Sequence, residues 1–261
     1  METSVLNASP IIVLAASSVL ILVAIGISMW LHLGFERSIV IAALRATVQL
    51  LAVGVLLAVV VESGWEAVLA PLWITAMIVI AAFVVASRAG LPSIRFLAGV
   101  AVAVPTLIAL AVVFGFGVLP SEPIQMIVVA GITIGNTLPA TVQGVDQVRR
   151  QMTSDRSTIE GLLALGVDSG RSSRFMVAEA TRVAVQPQIE RTKVVGLVAL
   201  PGAFTGLLIA GVEPFEAAVI QLVVMFLVLG SVAVSSATMA ALTARRAFTP
   251  DQRLRTVDAS F

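Results

Sequence analysis

Apolar stretches of about 20 residues, the length that crosses ~30 Å of hydrocarbon as a helix, recur along the chain and are separated by short polar breaks. Seven are read, running from Ile11 to Leu31, Ile39 to Val61, Ala67 to Ala86, Phe96 to Leu119, Ile124 to Val145, Val194 to Val212 and Ala217 to Ala244. Only the second contains a formal charge, Arg45. The pattern predicts an all-α, polytopic helical membrane protein of about seven transmembrane helices, with residues 1–261 forming one transmembrane domain.

Charge then orients the spans. When the loops are taken alternately, 15 of the 16 basic residues fall on one side and Arg45 lies inside a span. The other side carries only acids: Glu2, Glu62, Glu66, Glu122, Glu213 and Glu216. A missed or spurious span would scramble this separation, so the positive-inside rule sets the N-terminus outside and the C-terminus in the cytoplasm. The first span is read as retained, because Met1-Glu2 supplies no basic region ahead of it and the apolar run is of full spanning length.

Composition narrows the function classes. Hydrophobic residues make up 59% of 261 and charged residues 12%, with a mean hydropathy of +1.06, which excludes disorder, a nucleic-acid-binding domain and an ordinary soluble enzyme. No cysteine is present, which removes disulfides and thiolate chemistry, and the one histidine, His32, excludes a histidine-cluster metal site. The only lysine, Lys193, stands between Thr192 and Val194, so no G-x-x-x-x-G-K-[ST] phosphate loop exists. Any ATP-driven work must come from a partner.

The segment 146–193 is the one sizeable polar excursion, with eight basic and six acidic residues, and is read as cytoplasmic. Ser157-Thr158-Ile159-Glu160 has the form of a capping box, predicting a helix start there. That helix carries Ile159, Leu162 and Leu163 on one stripe and stops at Gly166, a residue suited to a left-handed C-terminal position. Asp168 or Ser169 caps a second helix, with Phe175, Met176, Glu179 and Val183 in register, ending near Pro187. Two amphipathic helices on the inner membrane surface and an element that docks on a soluble partner both fit this pattern.

Polar groups inside spans are costly, so Arg45, with Gln49 one turn on, is a functional candidate; the alternative is an arginine that snorkels to the inner interface. The fifth span carries Gly131, Thr133, Gly135, Asn136, Thr137, Pro139, Thr141, Gln143 and Gly144, and the sixth is interrupted by Leu200-Pro201-Gly202, with Thr205 and Gly206 beyond. Such segments line solute paths, or pack helices closely through small residues. Gln221 in the seventh span fits either role. The metal question stays open, since no carboxylate or histidine other than His32 at an edge lies in the spans.

With these residues in view, the sequence resembles the FetB family of ABC-transporter permeases, associated with iron export in bacteria, and its plant relatives linked to aluminium tolerance. The likeness covers nearly the whole chain. It is carried by Leu44-Arg45, Gln49-Leu50 and Gly54, by Gly135-Asn136, by Glu160 with Ala164-Leu165-Gly166 and Pro187, and most specifically by the run from Lys193 to Gly206. Pro214, Ala217 and Gln221 extend it. The chain departs from the family pattern where Gly161 and Leu162 follow the glutamate, at Phe204, where methionine is usual, and near Pro139, where a second asparagine is expected.

The resemblance implies a homodimeric permease in the bacterial cytoplasmic membrane, with two copies of a separate ABC ATPase subunit that brings ATP and Mg. The chain itself would hold no cofactor and catalyse no bond chemistry. The Glu160 to Gly166 stretch is similar to the coupling loop by which ABC permeases sit in their ATPase groove. The expected coupling surface is Ile159, Glu160, Leu163 and Gly166, and the expected path is Arg45, Gln49, Asn136, Thr205 and Gln221. Iron or another small solute is the implied cargo. The alternatives are a nucleotide sugar as cargo, or an autonomous secondary transporter. Membrane lipid is the surrounding partner and nucleic acid is not one.

Overall fold

The computed structural model describes residues 10–255; Met1 and Glu2, which flank the first span, lie outside the described residues. The elements in chain order are α1 (Pro10–Trp30), α2 (Glu36–Glu62), α3 (Glu66–Arg88), a single 3-10 turn (Pro92–Ile94), α4 (Arg95–Gly115), α5 (Pro123–Ser154), α6 (Arg156–Ala164), α7 (Ser169–Ser172), α8 (Arg174–Lys193), α9 (Gly202–Ile209) and α10 (Pro214–Arg246). Among the described residues there is no strand, only two isolated bridges. Among the described residues five helices, α2 to α5 and α10, are long and apolar enough to cross a membrane. Large apolar side chains are exposed along most of α2 and on one side of α3 and α4, as a lipid-facing surface requires.

The chain divides into two units, the first ending at Glu66 and the second beginning at Ala67. In the first, α1 and α2 form a helical hairpin whose turn places His32 (φ 53°) and Gly34 (φ 76°) in the left-handed region. The buried Ser28 hydroxyl donates to Glu36 Oε1 at 2.8 Å and ties the end of α1 to the start of α2.

In the second unit, α10 is the central helix, packed along α4, α5 and α8. Its small positions set the spacing. A Cβ added to Gly144 of α5 would lie 3.3 Å from the Ser236 carbonyl oxygen, so the two backbones approach too closely for a larger residue. One end of this unit is basic and closed by arginines. Arg149 Nη1 donates to the Ala89 carbonyl at 3.3 Å, and Arg246 Nη1 to that of Ser93 at 2.9 Å, clasping the α3 to α4 connection to the ends of α5 and α10. The helix starts at the opposite end of this unit carry Glu122, Glu213 and Glu216.

Several expectations change. The stretch from Val194 to Val212 is not a continuous helix: α9 has eight residues, about 12 Å at 1.5 Å per residue, and cannot cross alone. Gly196 (φ 86°) and the extended Pro201 at the α9 N-cap (ψ 146°) break the chain before it. The polar excursion is also less separate than its composition implies. α5 continues nine residues beyond Val145, and α8 does not end at Pro187 but runs to Lys193. Ala184, Val185 and Ile189, on both sides of Pro187, pack with Ala140, Val228, Val232 and Val224 of α5 and α10. That burial holds the helix across the lost hydrogen bond.

The capping box does not form either. α6 begins at Arg156, so Asp155 and not Ser157 stands at its N-cap, no side chain caps it, and Glu160 pairs with Arg156 at 2.8 Å. Gly166 ends α6 as expected, at φ 81°, with Val167 N–H bonded to the Leu162 carbonyl and Gly166 N–H to that of Leu163. Asp168 caps α7 by accepting from the Arg171 amide at 2.9 Å.

Candidate functional site

The antiparallel run of α8 beside α5 builds a polar pocket of about 240 Å³ in the second unit. α5 contributes Gly135, Asn136, Pro139, Ala140 and Gln143, residues spaced to share one face. From α8 come Ala184, Pro187, Gln188 and Arg191, again one stripe, and Val232 of α10 supplies an apolar wall. Asn136 stands 13 residues from the start of α5 at Pro123, about 20 Å along its axis. Arg191 therefore lies level with the middle of a helix long enough to span a membrane.

The proline in each helix has a direct chemical effect. Pro139 offers no N–H to the Gly135 carbonyl four residues back, so a pocket-lining carbonyl loses its helical donor. Asn136 Nδ2 donates to the Ile132 carbonyl at 2.8 Å, which fixes the side chain and leaves its Oδ1 and second N–H for the pocket. Thr192 Oγ1 likewise bonds the Gln188 carbonyl at 2.8 Å. The lining thus offers a guanidinium, three amides and a backbone carbonyl, with no carboxylate, imidazole or thiol. Among the described residues no group of three His, Cys, Asp or Glu side chains gathers anywhere in a metal-binding arrangement.

Of the five path candidates, Asn136 alone lines this pocket. Gln221 is buried on α10, and its Oε1 has no hydrogen-bond partner. Thr205 is exposed on α9, its hydroxyl bonded to the Pro201 carbonyl at 3.3 Å. Arg45 and Gln49 are exposed together on α2 in the first unit. Gln188 and Arg191 were missed by sequence reasoning, which counted Arg191 as a loop charge; its spacing of seven from Ala184 was the available signal.

The coupling candidates divide as well. Ile159 is fully buried, and Leu163 packs on the same cluster of Val148, Met152, Met176, Ala180 and Ala244. Glu160 and Gly166 are exposed, and Leu165, 82% exposed, is the outward apolar residue of this turn. Ile159 is turned fully inward, and Leu163 is half-buried beside it, so this packing forms the inner side of α6. It also anchors α6 on α5, α8 and α10, the three helices that line the pocket.

The family described as "Uncharacterised protein family (UPF0014)" matches residues 11–248. The chain belongs to the UPF0014 family. Its UPF0014 relatives include the rice UPF0014 membrane protein STAR2 (Oryza sativa subsp. japonica), 32% identical over 85% of this chain and 78% of the relative. Protein ALUMINUM SENSITIVE 3 of Arabidopsis thaliana is 31% identical over 93% of this chain and 89% of its own length. The "Probable iron export permease protein FetB" of Escherichia coli (strain K12) is 30% identical over 92% and 93%. No solved structure matches the chain. With its apolar helices, the chain is a multi-pass membrane protein of the UPF0014 family.

Proposed function

We propose that this protein is the membrane-spanning permease subunit of an ABC transporter, moving a small solute or metal ion across the bacterial cytoplasmic membrane while a separate ATPase works beneath it. The observation that carries the reading is the polar pocket with Arg191 at span depth, because an ionisable group there marks a solute path by default. The relationship to FetB supports it, as does the missing phosphate loop, which leaves ATP and Mg to a partner. In this reading the arginine-closed end is cytoplasmic, the N-terminus is outside, α8 and α9 together make the sixth passage and α10 the seventh, and two copies form the permease.

Coupling then has a physical route. The exposed turn of Glu160, Leu165 and Gly166 meets the ATPase, and the buried Ile159 carries its displacement into α5, α8 and α10. The pocket's donors favour an oxygen-rich, anionic solute over a bare cation. An iron cargo would pass as an anionic complex; a nucleotide sugar fits the same donors. Affinity purification in mild detergent with mass spectrometry tests the central claim: an equimolar soluble ATPase is expected, and its absence from a folded preparation would shift the reading to an autonomous transporter.

A further inference from the structure

A second cavity of about 390 Å³ lies between α3 and α4, away from the polar pocket, and its lining is apolar except at one end. Small residues make its floor: Ala82 faces Gly99, where a Cβ would meet the Ala82 Cβ in ordinary contact at 3.6 Å, and Ala103 continues the floor one turn on. Phe83 and Phe96 form the rim and are exposed, Phe96 at 79%. Arg95 closes the end, its guanidinium carbon 4.8 Å from the centroid of the Phe83 ring. Phe83 stands one and a half turns inside α3, so the charge is held over the groove instead of reaching away from it.

We propose that this groove seats an acyl chain of an anionic phospholipid, with the lipid phosphate against Arg95. An apolar groove between two helices, floored by small side chains, fits one acyl chain, and the cationic group sits at the basic end of the helices, where a headgroup would lie. Arg88, exposed at the end of α3, adds a second positive charge on the same connection. Among the described residues no carboxylate forms an ion pair with Arg95, so the charge is available to a ligand.

The test is native mass spectrometry of the full-length protein released from nanodiscs containing equal phosphatidylglycerol and phosphatidylcholine. The wild-type protein is expected to retain phosphatidylglycerol about fivefold over phosphatidylcholine, the discrimination one interfacial arginine provides. Arg95→Gln should abolish that preference with unchanged elution and melting, and Gly99→Leu, which fills the floor, should lower retention of both lipids. Equal retention by the wild-type protein, or a preference that survives Arg95→Gln, would overturn the proposal. So would efficient disulfide formation between two copies of Val100→Cys, since the chain has no native cysteine.

Discussion

Ser235 donates its hydroxyl proton to Thr141 Oγ1 across 2.7 Å, because Thr141 has already committed its own to the Thr137 carbonyl at the same distance. The bond joins α5 to α10 one turn from the Gly144 contact, in fully buried surroundings. Thr141→Val should therefore cost more than Ser235→Ala. The first strands a buried hydroxyl while the second removes one, and about 1–2 kcal/mol against about 0.6 kcal/mol is expected from interhelical hydrogen bonds in membranes. Gly144→Val should exceed both, since its methyls must displace the Ser236 backbone, with an overpacking cost of about 1–3 kcal/mol. Thermal unfolding of the three variants in one detergent checks the order.

Arg191→Ala is expected to abolish transport without lowering the yield of folded protein, because the side chain is exposed in the pocket and no core contact depends on it. Arg191→Lys should restore only part of the rate, since an ammonium keeps the charge and loses the planar fork. Solute flux in vesicles carrying the protein together with the proposed ATPase measures both. Full activity of Arg191→Ala would remove the pocket from the path.

Leu165→Asp and Ile159→Asp, on the same helical turn region, should behave differently. The exposed Leu165 is expected to yield a folded permease that no longer retains the ATPase. Ile159 is fully buried, so an aspartate there should prevent folding through an unpaired buried charge. Co-purification combined with detergent size-exclusion profiles separates the outcomes; ATPase retention by Leu165→Asp would sink the coupling assignment.

Gly166→Val tests the joint between α6 and α7. A β-branched residue at φ 81° is strained by about 1–2 kcal/mol, enough to unseat the two hydrogen bonds that end α6. Faster proteolysis confined to the segment between residues 155 and 174 is the expected signature.

The native absence of cysteine makes the orientation directly measurable. Ser157→Cys and Ser121→Cys both lie at exposed positions. An impermeant maleimide should label Ser121→Cys in intact cells, and Ser157→Cys only after the membrane is opened. The reverse pattern would invert the topology.

The long helices were legible because one property, sustained apolarity, both marks them in sequence and stabilises them in place. α2, α3, α4 and α10 begin and end within a few residues of the stretches read from hydropathy, and Gly166 announced its turn through backbone freedom alone. α8 was not legible for the opposite reason. Its composition is that of a surface helix, with Gln186, Glu190, Arg191 and Lys193 in its second half, yet Ala184 and Val185 are buried by helices far away in sequence. The pocket depends on that placement, so Asn136 was found and its partners on α8 were not. The Ser157 to Glu160 pattern failed on a smaller scale, because Arg156 competed for the same carboxylate.

The position of α8 also has a consequence for how the protein is made. A helix so polar has no reason to leave water until apolar neighbours exist to receive it, and one of them, α10, follows it in the chain. Only when the residues up to Val232 have emerged does a wall exist for α8 to close against. The polar pocket would then be the last part of the fold to close, and a chain truncated before α10 would lack the wall that Val232 supplies to it.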